Sequence, residues 1–156
     1  MQIKVTKAQD LITPSLARNI ARLANPSTAL KAAATVLVSL ATRAFNDASL
    51  RPTPWRALAA ATLAQRARDK RGTAILKRTG TLARSPRVIS VSNRQAVIGS
   101  DRRADSHSLA AIHQLGTKDG KIPARPFFPF TASGTATSKA RSLTAVAINK
   151  VLALRK

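Results

Sequence analysis

The stretch Ser108-Leu109-Ala110-Ala111-Ile112-His113-Gln114-Leu115-Gly116, with Ile122-Pro123-Ala124-Arg125-Pro126-Phe127-Phe128-Pro129-Phe130 a short turn later, decides how this chain folds. Ser108 is an N-cap residue type, because its hydroxyl can accept from a free amide in the first helical turn. Gly116 is the residue type that ends a helix in the left-handed region. Between them Leu109 to Leu115 reads as a short helix. The prolines beyond it forbid helix and force an extended backbone, so a short helix is followed by a stiff arm.

Upstream, the β-branched runs Val88-Ile89-Ser90-Val91-Ser92 and Ala96-Val97-Ile98-Gly99 flank Asn93-Arg94 and predict a β-hairpin. The polar residues from Ser100 to His107 read as a loop. From Arg66 to Arg87 come eight basic residues, Arg66, Arg68, Lys70, Arg71, Lys77, Arg78, Arg84 and Arg87, against Asp69 alone. Gly72 and Gly80 interrupt this run, which therefore reads as a flexible basic connection.

Earlier still the period is helical. Thr13-Pro14 starts a helix through Leu16, Ile20 and Leu23 that Asn25-Pro26 stops. A second begins near Ser27 and closes around Phe45-Asn46, with Leu30, Ala33, Ala34, Leu37, Leu40, Ala41 and Ala44 in one stripe. Ala48 to Pro54 reads as a loop, and Thr53-Pro54 as the cap of a third helix with Trp55, Leu58, Thr62 and Leu63 on one side. The chain from 131 to 156 reads as a helical tail, with Ala140, Leu143, Val146 or Ala147, and Val151 or Leu154 in register. The fold class expected is α+β: N-terminal helices, a small antiparallel sheet and a C-terminal helix, in one domain spanning 1–156.

Composition limits function. The chain has 156 residues, 27 Lys+Arg against 6 Asp+Glu, a net charge of +21 and a pI of about 12.0. All 6 acids are Asp. Such a surface attracts polyanions and acidic protein faces. Of 69 hydrophobic residues 30 are Ala, which leaves 39 larger apolar side chains, enough for one modest core. With no Cys there is no disulfide, thiolate metal site or thiol nucleophile. Lys31 breaks the Ala-rich run from Ala29 to Ala41, which is shorter than the roughly 20 apolar residues of a bilayer span. Met1-Gln2-Ile3-Lys4 opens no signal-peptide pattern, so a soluble, unsecreted protein without membrane contact is expected.

No catalytic set is legible. Scattered Asp residues give no carboxylate pair for acid–base chemistry. His107 and His113 stand about 120° out of register on a helix, poor geometry for joint metal ligation. Neither a nucleophile elbow, a P-loop nor a dinucleotide fingerprint occurs. No enzyme, metal or cofactor is expected. The charge suits a phosphate backbone, but aromatics make up 3% of the chain and three of the five sit at Phe127, Phe128 and Phe130, too clustered for a base-stacking platform.

The Ala110-Ala111-Ile112-His113-Gln114-Leu115-Gly116 and Ile122-Pro123-Ala124-Arg125-Pro126-Phe127-Phe128 strings resemble the virion morphogenesis, or tail completion, proteins of Mu-like and P2-like phages. There a tyrosine-alanine, two residues and His-Gln-Phe-Gly precede Ile-Pro-Ala-Arg-Pro-Phe-Leu. Phe45, Pro54-Trp55, Leu58 and Thr62 are similar to the family's aromatic and Pro-rich section. Ile75-Leu76-Lys77-Arg78-Thr79-Gly80-Thr81-Leu82-Ala83-Arg84-Ser85 is similar to its "Ile-Leu, Ser/Thr-Gly" section. Leu109 and Leu115 stand where the family has aromatics, which removes aromatic volume that Phe128 partly refills, and Pro86 stands where a strand normally begins.

The resemblance implies a structural virion protein of the neck or tail end, a tail completion, terminator or head–tail joining subunit. Its expected partners are copies of itself in a ring, a hexamer by expectation, neighbouring neck, connector and tail proteins, and DNA in the neck channel. It would be found in the virion, and in host cytoplasm during assembly. The alternative is a basic DNA-binding accessory protein.

For the arm two roles stand open. Arg125 presents a planar fork suited to a carboxylate, and Pro126, Phe127, Phe128 and Phe130 supply anchors for an assembly interface. Otherwise Arg125 pairs internally with Asp101 or Asp105, and the Phe residues close the core. Trp55, His113, Gln114 and Gly116 are expected to be structural. The eight cations from Arg66 to Arg87 are expected to meet a polyanion or an acidic partner.

Overall fold

The computed structural model describes residues 26–104 and 106–153. It is an α+β fold. Helix α1 runs Ser27–Arg43, a 3₁₀ turn Ala48–Leu50, helix α2 Ala60–Arg68, strands β1 Arg87–Val91 and β2 Ala96–Gly99, a short pair β3 Arg103–Ala104 and β4 His107–Ser108, helix α3 Leu109–Leu115, and helix α4 Ser138–Ala153. The helix expected to start at Thr13-Pro14, together with Asp105 and Leu154, lies outside the described residues.

Small residues set how the helices pack. Ala34, Ala41 and Ala44 on α1 are almost fully buried, as is Ala140 on α4, and the two helices lie against each other. Alanine lets the backbones approach closely at little entropic cost, since its side chain has no rotamers to fix. Of the α4 positions expected in register, Ala140 is buried and Ala147 and Val151 are half-buried, whereas Leu143 and Val146 face solvent. Arg43 lies in the last turn of α1, where a cation complements the helix dipole, and Arg51 Nε closes that end by donating to the Ala44 carbonyl at 2.8 Å.

The hairpin packs on α1. Its strands are antiparallel, with Val88 opposite Ile98 and Ser90 opposite Val97, and a bulge at Ile89 turns that side chain outward. Pro86 does not obstruct it. The strand starts at the next residue, and buried Ser85 ties the entrance by donating to the Leu82 carbonyl at 2.7 Å and contacting Ser100 Oγ at 2.6 Å. The loop expected from Ser100 to His107 instead carries the β3–β4 ladder, which pairs Arg103 with Ser108. It is a correction with a simple reason: backbone pairing needs no apolar pattern.

The third helix also differs from expectation. It begins at Ala60, not after Pro54, and Trp55 sits in an irregular stretch ahead of it. Tertiary bonds hold that stretch open. The Arg56 and Ala57 carbonyls accept from Arg125, and the Trp55 indole donates to the Pro126 carbonyl. The apolar face read from Leu58, Thr62 and Leu63 is correspondingly weak, with Leu63 exposed and Arg66 the buried residue of the helix.

The core joins Leu40, Phe45, Leu50, Trp55, Leu82, Ala110, Phe127 and Phe128 to the small residues between α1 and α4. Phe45 lies at its centre, edge-on to Trp55 with centroids 5.8 Å apart and tilted against Phe127 at 4.9 Å. Such pairs contribute about 0.5–1.5 kcal/mol each beyond the area they bury. Leu115 is 68% exposed. A leucine there therefore removes no aromatic volume from the core, and Phe128 stacks on Phe127 at 4.7 Å instead.

Candidate functional site

The site is built where α3 meets the arm from Ile122 to Phe130. Ser108 Oγ accepts from the Ala111 amide at 3.3 Å and starts the helix. Gly116 ends it with φ 79°, and its amide donates to the Ile112 carbonyl. The arm then doubles back: Thr117 N donates to the Ile122 carbonyl at 3.0 Å, and Arg125 N donates to His113 O at 2.6 Å, capping a carbonyl the helix leaves free. A Cβ on Gly116 would stand 3.0 Å from both Ala124 N and Ile122 O, so glycine is required by space as well as by φ.

Gln114 clamps the arm. Its Oε1 accepts from the Phe127 amide at 3.1 Å and the Phe128 amide at 3.0 Å, while its Nε2 donates to the Phe128 and Phe130 carbonyls at 3.3 Å. One side-chain amide thus does for the extended arm what a neighbouring strand does elsewhere. Trp55 Nε1 fixes the next carbonyl along, donating to Pro126 O at 2.8 Å, and the Arg51 guanidinium lies 3.8 Å over its ring.

Arg125, Pro126, Phe127 and Phe128 are buried within the chain itself, and Phe130 is half-buried. The Phe residues line the core instead of an open interface. Arg125 does not pair with Asp101, which holds Arg87 at 3.0 Å. Its Nε donates to Arg56 O at 2.9 Å and its Nη2 to Ala57 O at 3.1 Å, so the fork reads backbone.

Arg66 does not lie on the open surface with the other cations of its run. It is buried, and Nη1 donates to Gly72 O at 3.0 Å and Ala74 O at 2.8 Å, which fastens the end of α2 to the chain beyond it. Lys77 Nζ donates to Asn46 Oδ1 at 2.7 Å, Arg78 lies 3.7 Å from Asp69, and Arg84 Nη2 donates to Thr79 O at 3.5 Å. Arg68, Lys70 and Arg71 are exposed.

These residues enclose a cleft of about 880 Å³ between the 56–62 stretch, the turns at 76–82 and the arm. Arg56, Arg66, Arg78, Lys121 and Arg125 line it, and among the described residues no acidic one does. Asp69 and Asp119 pair with Arg78 and Lys121, while among the described residues Arg66 and Arg125 have neutral carbonyl partners. Burial, then the neighbouring Arg56 and Arg66 cations, lowers the proton affinity of the Arg125 guanidinium. Burial chiefly, with Arg125 second, lowers that of His113, whose buried Nδ1 has no hydrogen-bond partner among the described residues.

Arg56 is the cleft residue that the sequence does not single out: it meets Arg125 from some seventy positions away, and no local pattern separates it from other exposed arginines. Among the described residues no group of three or more His and Asp side chains stands together to hold a metal, and no helix is long and apolar enough to cross a membrane.

Compared with known families, residues 3–146 match the family model described as the phage virion morphogenesis family. No curated protein and no solved structure matches the chain.

Proposed function

This chain belongs to the phage virion morphogenesis family, and on that premise we propose that it is a structural subunit at the neck or tail end of the virion. Copies close into a ring, hexameric by expectation, that completes the tail and joins it to the head. Connector and tail proteins are its neighbours. Exposed Arg68, Lys70 and Arg71 face acidic neighbouring rings or the DNA in the channel. Assembly takes place in the host cytoplasm before the protein is carried in the virion.

The family match over 3–146 carries this reading. The surface is in keeping with it: Ile89 is 56% and Val146 61% exposed, and each strand of the hairpin pairs on one side only among the described residues. Open edges and outward apolar side chains are costly on a lone subunit and are covered when copies assemble. Sedimentation velocity of the purified chain and electron microscopy of phage lacking it provide the test. Closed oligomers, and separate heads and tails in the deficient phage, are expected. A chain that stays monomeric at high concentration, with normally joined particles in its absence, overturns the proposal.

A further inference from the structure

We infer that the cleft beneath the arm is a docking site for an acidic segment of a partner protein, which places a carboxylate between Arg56, Arg66 and Arg125. The cleft is concave and about 880 Å³, within the roughly 300–1,000 Å³ common for ligand clefts. Arg56, Arg66 and Arg125 line it close enough for the first two to act electrostatically on the third, and among the described residues none of the three pairs with a carboxylate. Among the described residues Arg66 bonds through Nη1 and Arg125 through Nε and Nη2, which leaves each further N–H groups to offer. Protein carbonyls satisfy hydrogen bonding at these forks but leave the charge uncompensated.

The wall chemistry favours a peptide over a nucleic acid. Leu58, Leu76, Leu82, Leu109 and Ile122 share the lining with the cations, which suits a segment carrying both carboxylates and aliphatic side chains. Among the described residues no Phe or Trp lines the cleft to stack a base. Two of the three guanidiniums are buried, set back from where a convex duplex could press its phosphates. His113 lines the same space and its ring reports on what enters. The inference does not depend on ring closure or on a neck position.

The experiment titrates the full chain with a short capped peptide alternating Asp and Leu, following the His113 ring by NMR and affinity by calorimetry. Arg56→Ala is the informative variant, since the Arg56 side chain is exposed and only its backbone carbonyl supports the fold. Arg94→Ala, in the hairpin turn, removes the same charge far from the cleft. The peptide should shift the His113 resonances. Arg56→Ala should weaken binding about tenfold, and Arg94→Ala by no more than about twofold, because salt screens distant exposed charges. Equal weakening by the two variants, equal binding of the Asn-for-Asp peptide, an unmoved His113 ring, or the same shifts from inorganic phosphate or a short DNA duplex would each overturn the inference. Any of these failures leaves the oligomer measurement untouched, so the two readings fail separately.

Discussion

Replacing Gln114 by Ala removes four hydrogen bonds from the arm in one step. The Phe127 and Phe128 amides lose their acceptor, and the Phe128 and Phe130 carbonyls lose a donor. The losses are unequal. Phe128 O still accepts from Phe130 N at 2.7 Å, and the bonds to the carbonyls are the longer ones. The two amides belong to buried residues and have no other acceptor among the described residues, so each exposes a desolvation cost of about 1–3 kcal/mol. At the middle of that range for the amides, with a smaller loss at Phe130, Gln114→Ala costs about 5 kcal/mol.

That is a large part of the roughly 5–15 kcal/mol that holds a domain folded. Urea unfolding of the full chain, followed by far-UV circular dichroism, should show the midpoint displaced accordingly with the slope unchanged. Gln95→Ala, in the exposed hairpin turn, should move stability by no more than about 0.5 kcal/mol. A Gln114→Ala loss below about 1 kcal/mol, the value of a single ordinary hydrogen bond, would refute the clamp.

Gly116→Ala forces a Cβ to within 3.0 Å of two backbone atoms at φ 79°, and it should cost about 1–3 kcal/mol by urea midpoint. Arg125→Ala deletes two charge-assisted bonds to Arg56 O and Ala57 O, worth about 1.5–3 kcal/mol each; it should lower the thermal midpoint of the monomer and broaden the Trp55 environment seen in near-UV circular dichroism. His113 supplies a pH dependence. Its proton affinity is lowered in the fold, so stability is full above the ordinary histidine value of about 6.5. It declines as pH falls beneath that value and levels off below the lowered one. Urea midpoints across this range should show the step in the wild type and not in His113→Gln.

What the chain reveals about itself divides by distance along it. Ser108, Gly116 and the prolines act within a few residues, and the α3–arm unit they specify is the one observed. The hairpin is equally local. The bonds that shape the site are not: Trp55 meets Pro126 and Arg125 meets Arg56 across some seventy positions, and no periodicity encodes them. Those bonds also explain why α2 begins at Ala60, since they hold the preceding carbonyls away from a helical ladder. Arg66 is buried against the general rule that arginine is rarely buried unless paired; here two carbonyls beyond the end of α2 supply the pairing. The cleft follows from the same long-range contacts.

Membership of a virion family makes position in the particle the central question. The most direct measurement is cryo-electron microscopy of the phage with this subunit carrying a visible C-terminal tag. Tag density repeated around a closed ring where tail meets head is expected. Tag density confined elsewhere in the particle, or its absence from purified virions, would contradict it.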